Sequence, residues 1–140
     1  MHDESDESPG RILLVEDDGV TAHFMVHVLG QRGGFDVRHA PDPASALEQA
    51  RSQTWDLVLT DAELPGMTGL ELLQELRRAC PGVPVAVVTA HQATDVTMRD
   101  LKAQADEFLE KPIQPDRLRD IVTSLVARGR AERPAGPAGA

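Results

Sequence analysis

Residues 56–60 read DLVLT, with Asp61 immediately after. Leu57, Val58 and Leu59 are consecutive and leave no polar face for solvent, so the segment is predicted to be a strand covered on both sides. Similar runs lie on either side of it. Residues 11–16 read RILLVE and stop at acids, and residues 83–89 read VPVAVVT. Shorter strands are expected at 35–39 and 107–110. Between the strands the apolar spacing becomes helical. Residues 21–32 carry Phe24, Val28 and Leu29 and are broken by Gly33 and Gly34. A second helix, introduced by Pro41 and Pro43, runs to about Ser52. Residues 70–78 repeat Leu at 70, 72, 73 and 76, and Pro81–Gly82 ends that helix. Residues 93–103 read as a more polar helix. Residues 115–127 set Leu118, Ile121, Val122 and Leu125 on one face. Five strand-then-helix units of this kind predict an α/β fold, a doubly wound five-stranded parallel sheet covered by helices.

A chain of 140 residues suits one domain. Only 3% of it is aromatic, so the core must be built from Val, Leu, Ile and Ala. The net charge of −9 argues against a non-specific nucleic-acid binder or a polybasic membrane anchor, since both need clustered Lys and Arg. No apolar run reaches the ~18–20 residues of a membrane span, and the N-terminus lacks the basic-then-apolar plan of a signal peptide. Cys80, the only cysteine, excludes an internal disulfide and a cysteine-based zinc site. These features predict a soluble, cytoplasmic domain over residues 10–128. Residues 1–9, with Asp3, Glu4, Asp6 and Glu7, read as an acidic disordered tail, and the Pro/Gly/Ala-rich residues 129–140 as a second one.

In an open parallel sheet, ligands bind beyond the carboxyl ends of the strands. Glu16, Asp17 and Asp18 follow the first strand, Asp61 the third, Thr89 ends the fourth, and Lys111 follows the fifth. The second strand, expected at an edge, contributes nothing comparable. Two carboxylates about 5 Å apart repel by roughly 3 kcal/mol at an effective dielectric of about 20. Glu16, Asp17 and Asp61 therefore call for compensation. Lys111 supplies part of it, and a hard divalent cation that keeps several waters, such as Mg²⁺, would supply more.

These residues resemble the receiver domain of two-component response regulators. The matching segments are ILLVEDD (12–18), DLVLTDAELPGMTGLELL (56–73), PVAVVTA (84–90) and ADEFLEKPI (105–113), in the family's order. The resemblance implies a flavodoxin-like (βα)5 sheet with strand order 2-1-3-4-5. It implies that Asp61 is the phosphoacceptor, taking a phosphoryl group from a sensor histidine kinase or a histidine phosphotransfer protein. Asp17 and Asp61 would bind Mg²⁺ (or Mn²⁺) directly, Glu16 through water, and Glu63 through its backbone carbonyl. Lys111 would pair with a phosphoryl oxygen, Thr89 would hydrogen-bond another, and Phe108 stands at the switch aromatic position. Glu63 and His91 flank the site where they could tune the phosphoryl lifetime. The chain is thus expected to be a signalling receiver whose only catalysis acts on itself. Lacking an output domain, it would signal through an unknown protein target, with no direct contact to nucleic acid or membrane.

Other readings fare worse on the residues. An Asp-nucleophile phosphatase would want a second Asp at position 63, where Glu stands. A flavin carrier would want a hydroxyl- and glycine-rich loop after the first strand, whereas EDDG repels phosphate. An excised piece of a longer regulator and a receiver that works without phosphorylation stay open as variants. Gln104 stands where the family usually has Gly, so that turn must avoid or tolerate positive φ. His23 and His27, one helical turn apart, are expected on an exposed face. Cys80 and Met67 are expected to have packing roles.

Overall fold

Strand and helix alternate along the chain as the apolar runs require. In a computed structural model of the protein, residues 9–90 and 98–132 are described. The elements are β1 (Arg11–Val15), α1 (Gly19–Val26) with a π-helical turn (His27–Arg32), β2 (Asp36–Ala40), α2 (Pro43–Ser52) and β3 (Leu57–Asp61). They continue with β4 (Glu63–Leu64), β5 (Met67–Thr68), α3 (Gly69–Ala79), β6 (Val85–Thr89), α4 (Arg99–Gln104), β7 (Glu107–Glu110) and α5 (Pro115–Glu132). Among the described residues, five strands form one parallel sheet in the order β2-β1-β3-β6-β7, which is 2-1-3-4-5 when only its own strands are numbered. The fold is therefore the expected doubly wound, flavodoxin-like one. The two-residue strands β4 and β5 pair antiparallel in a ribbon of their own.

Alternation along the strands divides the core. Leu13, Val15, Val58, Val85 and Val87 face one way and pack with α2 and α3 residues such as Leu47, Leu72 and Leu76. Ile12, Leu14, Leu57, Leu59 and Val88 face the other way, against Met25 and Leu29 and against Leu118, Val122 and Leu125 of α5. Every residue of β3 and β6 is buried, whereas β2 and β7 have exposed positions. The helices start where their caps dictate. Asp18 caps α1 by accepting from the Thr21 amide at 2.9 Å, and Asp42 caps α2 through Ser45 at 2.8 Å. Thr68 and Glu71 cap α3 reciprocally, so two otherwise orphaned amides are satisfied at its start.

Two sequence expectations need correction. The first helix begins at Gly19, not 21, because Asp18 is its cap. Ala22 and Met25 take its inward positions, and Phe24 is left 39% exposed. The C-terminal boundary moves from 128 to 132. Gly129 reads as a breaker, yet it lies within α5, where a Cβ would come within 3.1 Å of Pro84. The glycine lets the helix press against the sheet, and Arg130 one residue later binds Asp56. The polar helix expected at 93–103 is described only as α4, from Arg99. Residues 1–8, 91–97 and 133–140, including His91 and most of both expected tails, lie outside the described residues. At Gln104, the helix ends without positive φ: the chain leaves through Ala105 in an extended conformation. Cys80 is buried at the end of α3, its thiol donating to the Leu76 carbonyl and burial pushing its pKa up.

Candidate functional site

All parallel strands end at the same edge of the sheet, so the residues that follow them converge. Asp61, 6% exposed, is the last residue of β3, the central strand. Its Oδ1 accepts from the Glu63 amide at 2.8 Å, and its Oδ2 accepts from Lys111 Nζ at 3.0 Å. The same ammonium lies 3.3 Å from Glu16 Oε1. Glu16 is almost fully buried just beyond β1, and its Oε2 accepts from the Asp18 amide at 3.2 Å. Asp17 is exposed, yet one carboxylate oxygen each from Glu16, Asp17 and Asp61 lie within 4.8 Å of one another. The Lys111 amide donates to the Thr89 carbonyl at 2.8 Å, tying the end of β7 to the end of β6.

The electrostatics follow from this crowding. Burial pushes the Glu16 carboxyl up, with the Asp18 amide opposing and the Asp61 charge reinforcing the rise. Burial pulls Lys111 down, but its hydrogen bond to Asp61 and the charges of Asp61 and Glu16 outweigh this, so its pKa ends raised. Asp18 is held low by the Thr21 hydroxyl and amide. One ammonium thus faces three carboxylates, each pair repelling by roughly 3 kcal/mol at an effective dielectric of about 20. The donor set is entirely hard oxygen, which fits a divalent cation of the Mg²⁺ type.

The β4–β5 ribbon seats the loop after Asp61. Gly66 turns it with φ of 90°, and Gly69 opens α3 where a Cβ would lie 2.8 Å from the Ala62 carbonyl oxygen and 3.0 Å from Leu101 Cδ2. Thr89 is fully buried at the end of β6. Phe108 of β7 is half-buried and packs on the core face that α2 and α3 cover. Glu16, Asp17, Asp61, Thr89 and Lys111 therefore gather at one edge as the strand-end argument expects, with the Glu63 backbone beside them. His23, on α1, and His27, which opens the π-helical turn, are both exposed.

A model of the response regulator receiver domain matches residues 12–123. The chain belongs to that family. Curated relatives include the response regulator protein PilR of Pseudomonas aeruginosa, 34% identical over 91% of this chain and 28% of its own length. The probable transcriptional regulatory protein TcrX of Mycobacterium tuberculosis is 37% identical over 88% of this chain and 51% of its own. The receiver domain thus spans about half or less of these relatives. Solved structures agree on the fold. A CheY-like receiver domain protein of Methanospirillum hungatei superposes with TM-score 0.81 at 28% identity, covering 90% of this chain and all of that one. The receiver domain of the sensor histidine kinase PA1611 of Pseudomonas aeruginosa superposes with TM-score 0.76 at 28% identity, over 85% and 98% of the two chains. That structure has a magnesium ion coordinated in its active site cleft. No described helix of this receiver is long and apolar enough to cross a membrane.

Sequence reasoning missed one participant. β2 was expected to bring nothing to the site, but the ring Nε2 of His39 lies 2.6 Å from the Glu16 carbonyl oxygen. The parallel register of β1 and β2 pairs Leu14 with His39 and Val15 with Ala40. With that strand order in hand, the end of β2 could have been seen to reach the acidic loop.

Proposed function

We propose that the protein is a phosphorylation-controlled switch in which Asp61 accepts a phosphoryl group from the phosphohistidine of a histidine kinase or histidine phosphotransfer protein. The observation that carries this is Asp61 itself. It is a buried carboxylate at the end of the central strand, with one oxygen on a backbone amide and the other on Lys111, inside an acidic cluster. In the transfer, a carboxylate oxygen of Asp61 forms a bond to phosphorus as the phosphorus–imidazole bond breaks, and the departing electron pair stays on the ring nitrogen. Lys111 stabilises the charge developing on one phosphoryl oxygen. The Thr89 hydroxyl hydrogen-bonds another once the aspartyl phosphate has formed. Glu16, Asp17, Asp61 and the Glu63 carbonyl would hold Mg²⁺ or Mn²⁺, which when bound neutralises charge on the acceptor and the phosphoryl group. The protein's catalysis extends only to its own phosphorylation and dephosphorylation. The pull on Thr89 favours one of two packings around Phe108, and a partner protein reads that face.

The test is intact-mass measurement after incubation with Mg²⁺ and acetyl phosphate. One phosphoryl group should appear, be released by hydroxylamine, and depend on Mg²⁺. A wild-type protein that gains no mass under these conditions removes the proposal.

A further inference from the structure

The acidic loop between β1 and α1 is held at two points and free between them. Glu16 is fixed through its main chain as well as its carboxylate. Its amide donates to the Ala40 carbonyl at 3.1 Å, the last rung between β1 and β2. Its own carbonyl would need the next donor along β2, but there the chain turns through Pro41, Asp42 and Pro43 into α2. The His39 ring stands in, with Nε2 2.6 Å from the Glu16 oxygen. A carbonyl oxygen only accepts, so the ring donates from Nε2. Two residues on, Asp18 is fixed as the N-cap of α1 and by its amide to Glu16. The exposed Asp17 carboxylate between these points makes no hydrogen bond to a described residue.

The peptide plane joining residues 16 and 17 decides where the Asp17 side chain leaves the backbone, because that plane and the Asp17 dihedrals together set its Cα–Cβ direction. Fixing the Glu16 carbonyl fixes that plane. We infer that His39 is a positioning residue, holding the Glu16 carbonyl so that the Asp17 carboxylate is presented with those of Glu16 and Asp61 to a divalent cation. The group one bond away from a ligand is where a neighbour can tune cation affinity without touching the cation.

This inference rests on the reading that the acidic trio binds Mg²⁺, and the experiment separates the two. Mg²⁺ is titrated by calorimetry into wild type, His39→Leu and His39→Gln. The Mg²⁺ dependence of acetyl phosphate labelling is followed in parallel. One net hydrogen bond corresponds to roughly a 2- to 10-fold change in equilibrium, so His39→Leu should weaken Mg²⁺ binding by about that factor. Its labelling should recover when Mg²⁺ is raised to saturation. The Gln side chain keeps an N–H donor and should restore affinity to near wild type. A His39→Leu protein that binds Mg²⁺ as tightly as wild type overturns the assignment. So does a His39→Gln protein that binds as weakly as His39→Leu, or a labelling defect that saturating Mg²⁺ leaves in place. A wild type that shows no Mg²⁺ binding removes the cation reading and this inference with it.

Discussion

β3 has a buried aspartate at each end, and the two are handled in opposite ways. Asp56, just before the strand, and Asp61, its last residue, are both 6% exposed. Asp56 is matched by the protein. Arg130 donates to both of its oxygens at 3.1 Å, and the Arg11 amide adds a bond at 2.8 Å. This is the two-pronged guanidinium–carboxylate pairing that satisfies an acid fully. Asp61 shares one ammonium with Glu16, and Asp17 adds a further negative charge. The amino end of the sheet is thus electrostatically closed, and the carboxyl end is left short of positive charge. Burial does not tell the two acids apart; their partners do.

The comparison is easiest to break with substitutions at its two ends. Asp61→Asn should abolish hydroxylamine-sensitive labelling altogether. It should leave stability unchanged or slightly higher, since it removes repulsion. Asp56→Asn should do the reverse and keep labelling. It should lower unfolding free energy by about 2–3 kcal/mol, below the usual cost of orphaning a buried charge because the Arg130 side chain is 32% exposed and keeps some hydration. Urea unfolding and intact-mass labelling of both variants decide the matter, and loss of labelling in both would erase the distinction.

Metal should distinguish the ends next. Mg²⁺ at 100 times its dissociation constant should stabilise the wild type by roughly 2.7 kcal/mol. Asp17→Asn should raise the stability of the metal-free protein and shrink the Mg²⁺ increment together, whereas Arg130→Met should lower the former and leave the latter alone. Thermal melts with Mg²⁺ or with chelator would show it. A melting temperature indifferent to millimolar Mg²⁺ in the wild type would count against an open carboxyl end.

A smaller effect is expected from pH. The raised Glu16 pKa means that the folded protein holds this proton more tightly than the unfolded chain does. Metal-free stability contributed by Glu16 is therefore present at low pH. It falls as pH rises from the ordinary glutamate value through the raised one, and is level above that. Glu16→Gln should remove this component, so the difference between variant and wild-type urea midpoints in chelator should widen with pH. A difference constant from pH 4 to pH 8 would refute it.

The smallest expected change is in Trp55. Its indole donates to the Gln49 carbonyl at 2.9 Å and lies under the Arg11 guanidinium, 5.0 Å from the ring centre, at the closed end. Saturating Mg²⁺ should leave its fluorescence almost unchanged. A strong saturable quench would show that the two ends communicate.

How far the sequence could be read also differs between the ends. The open end was legible because its groups sit at the ends of strands whose unbroken apolar runs announce a parallel sheet. Glu16, Asp61, Thr89 and Lys111 each lie where a run stops. The closed end depends on a pairing between Asp56 and Arg130, which no local pattern connects, and Gly129 beside it carries the signature of a helix breaker. Close packing against Pro84 overrides that signature. His39 was hidden for a related reason: its role depends on which strand neighbours β1, not on anything in residues 36–40. The β4–β5 ribbon pairs only two residues per strand, too few for any periodicity. Phe24 was misplaced because helical spacing fixes which residues share a face, whereas the cap at Asp18 sets where the helix starts.

Gly69 has a consequence for heredity. Alanine is the smallest replacement, yet its methyl would press on the backbone of Ala62, the residue directly after Asp61. Ala62 links β3 to β4 between Asp61 and Glu63, so relief of that pressure would displace the amide that Asp61 accepts from. A Gly69→Ala change would therefore disturb the surroundings of Asp61 by adding one methyl group in a helix, with every charged residue of the cluster still in place. Position 69 has no room for even the smallest side chain, although it never touches the acid.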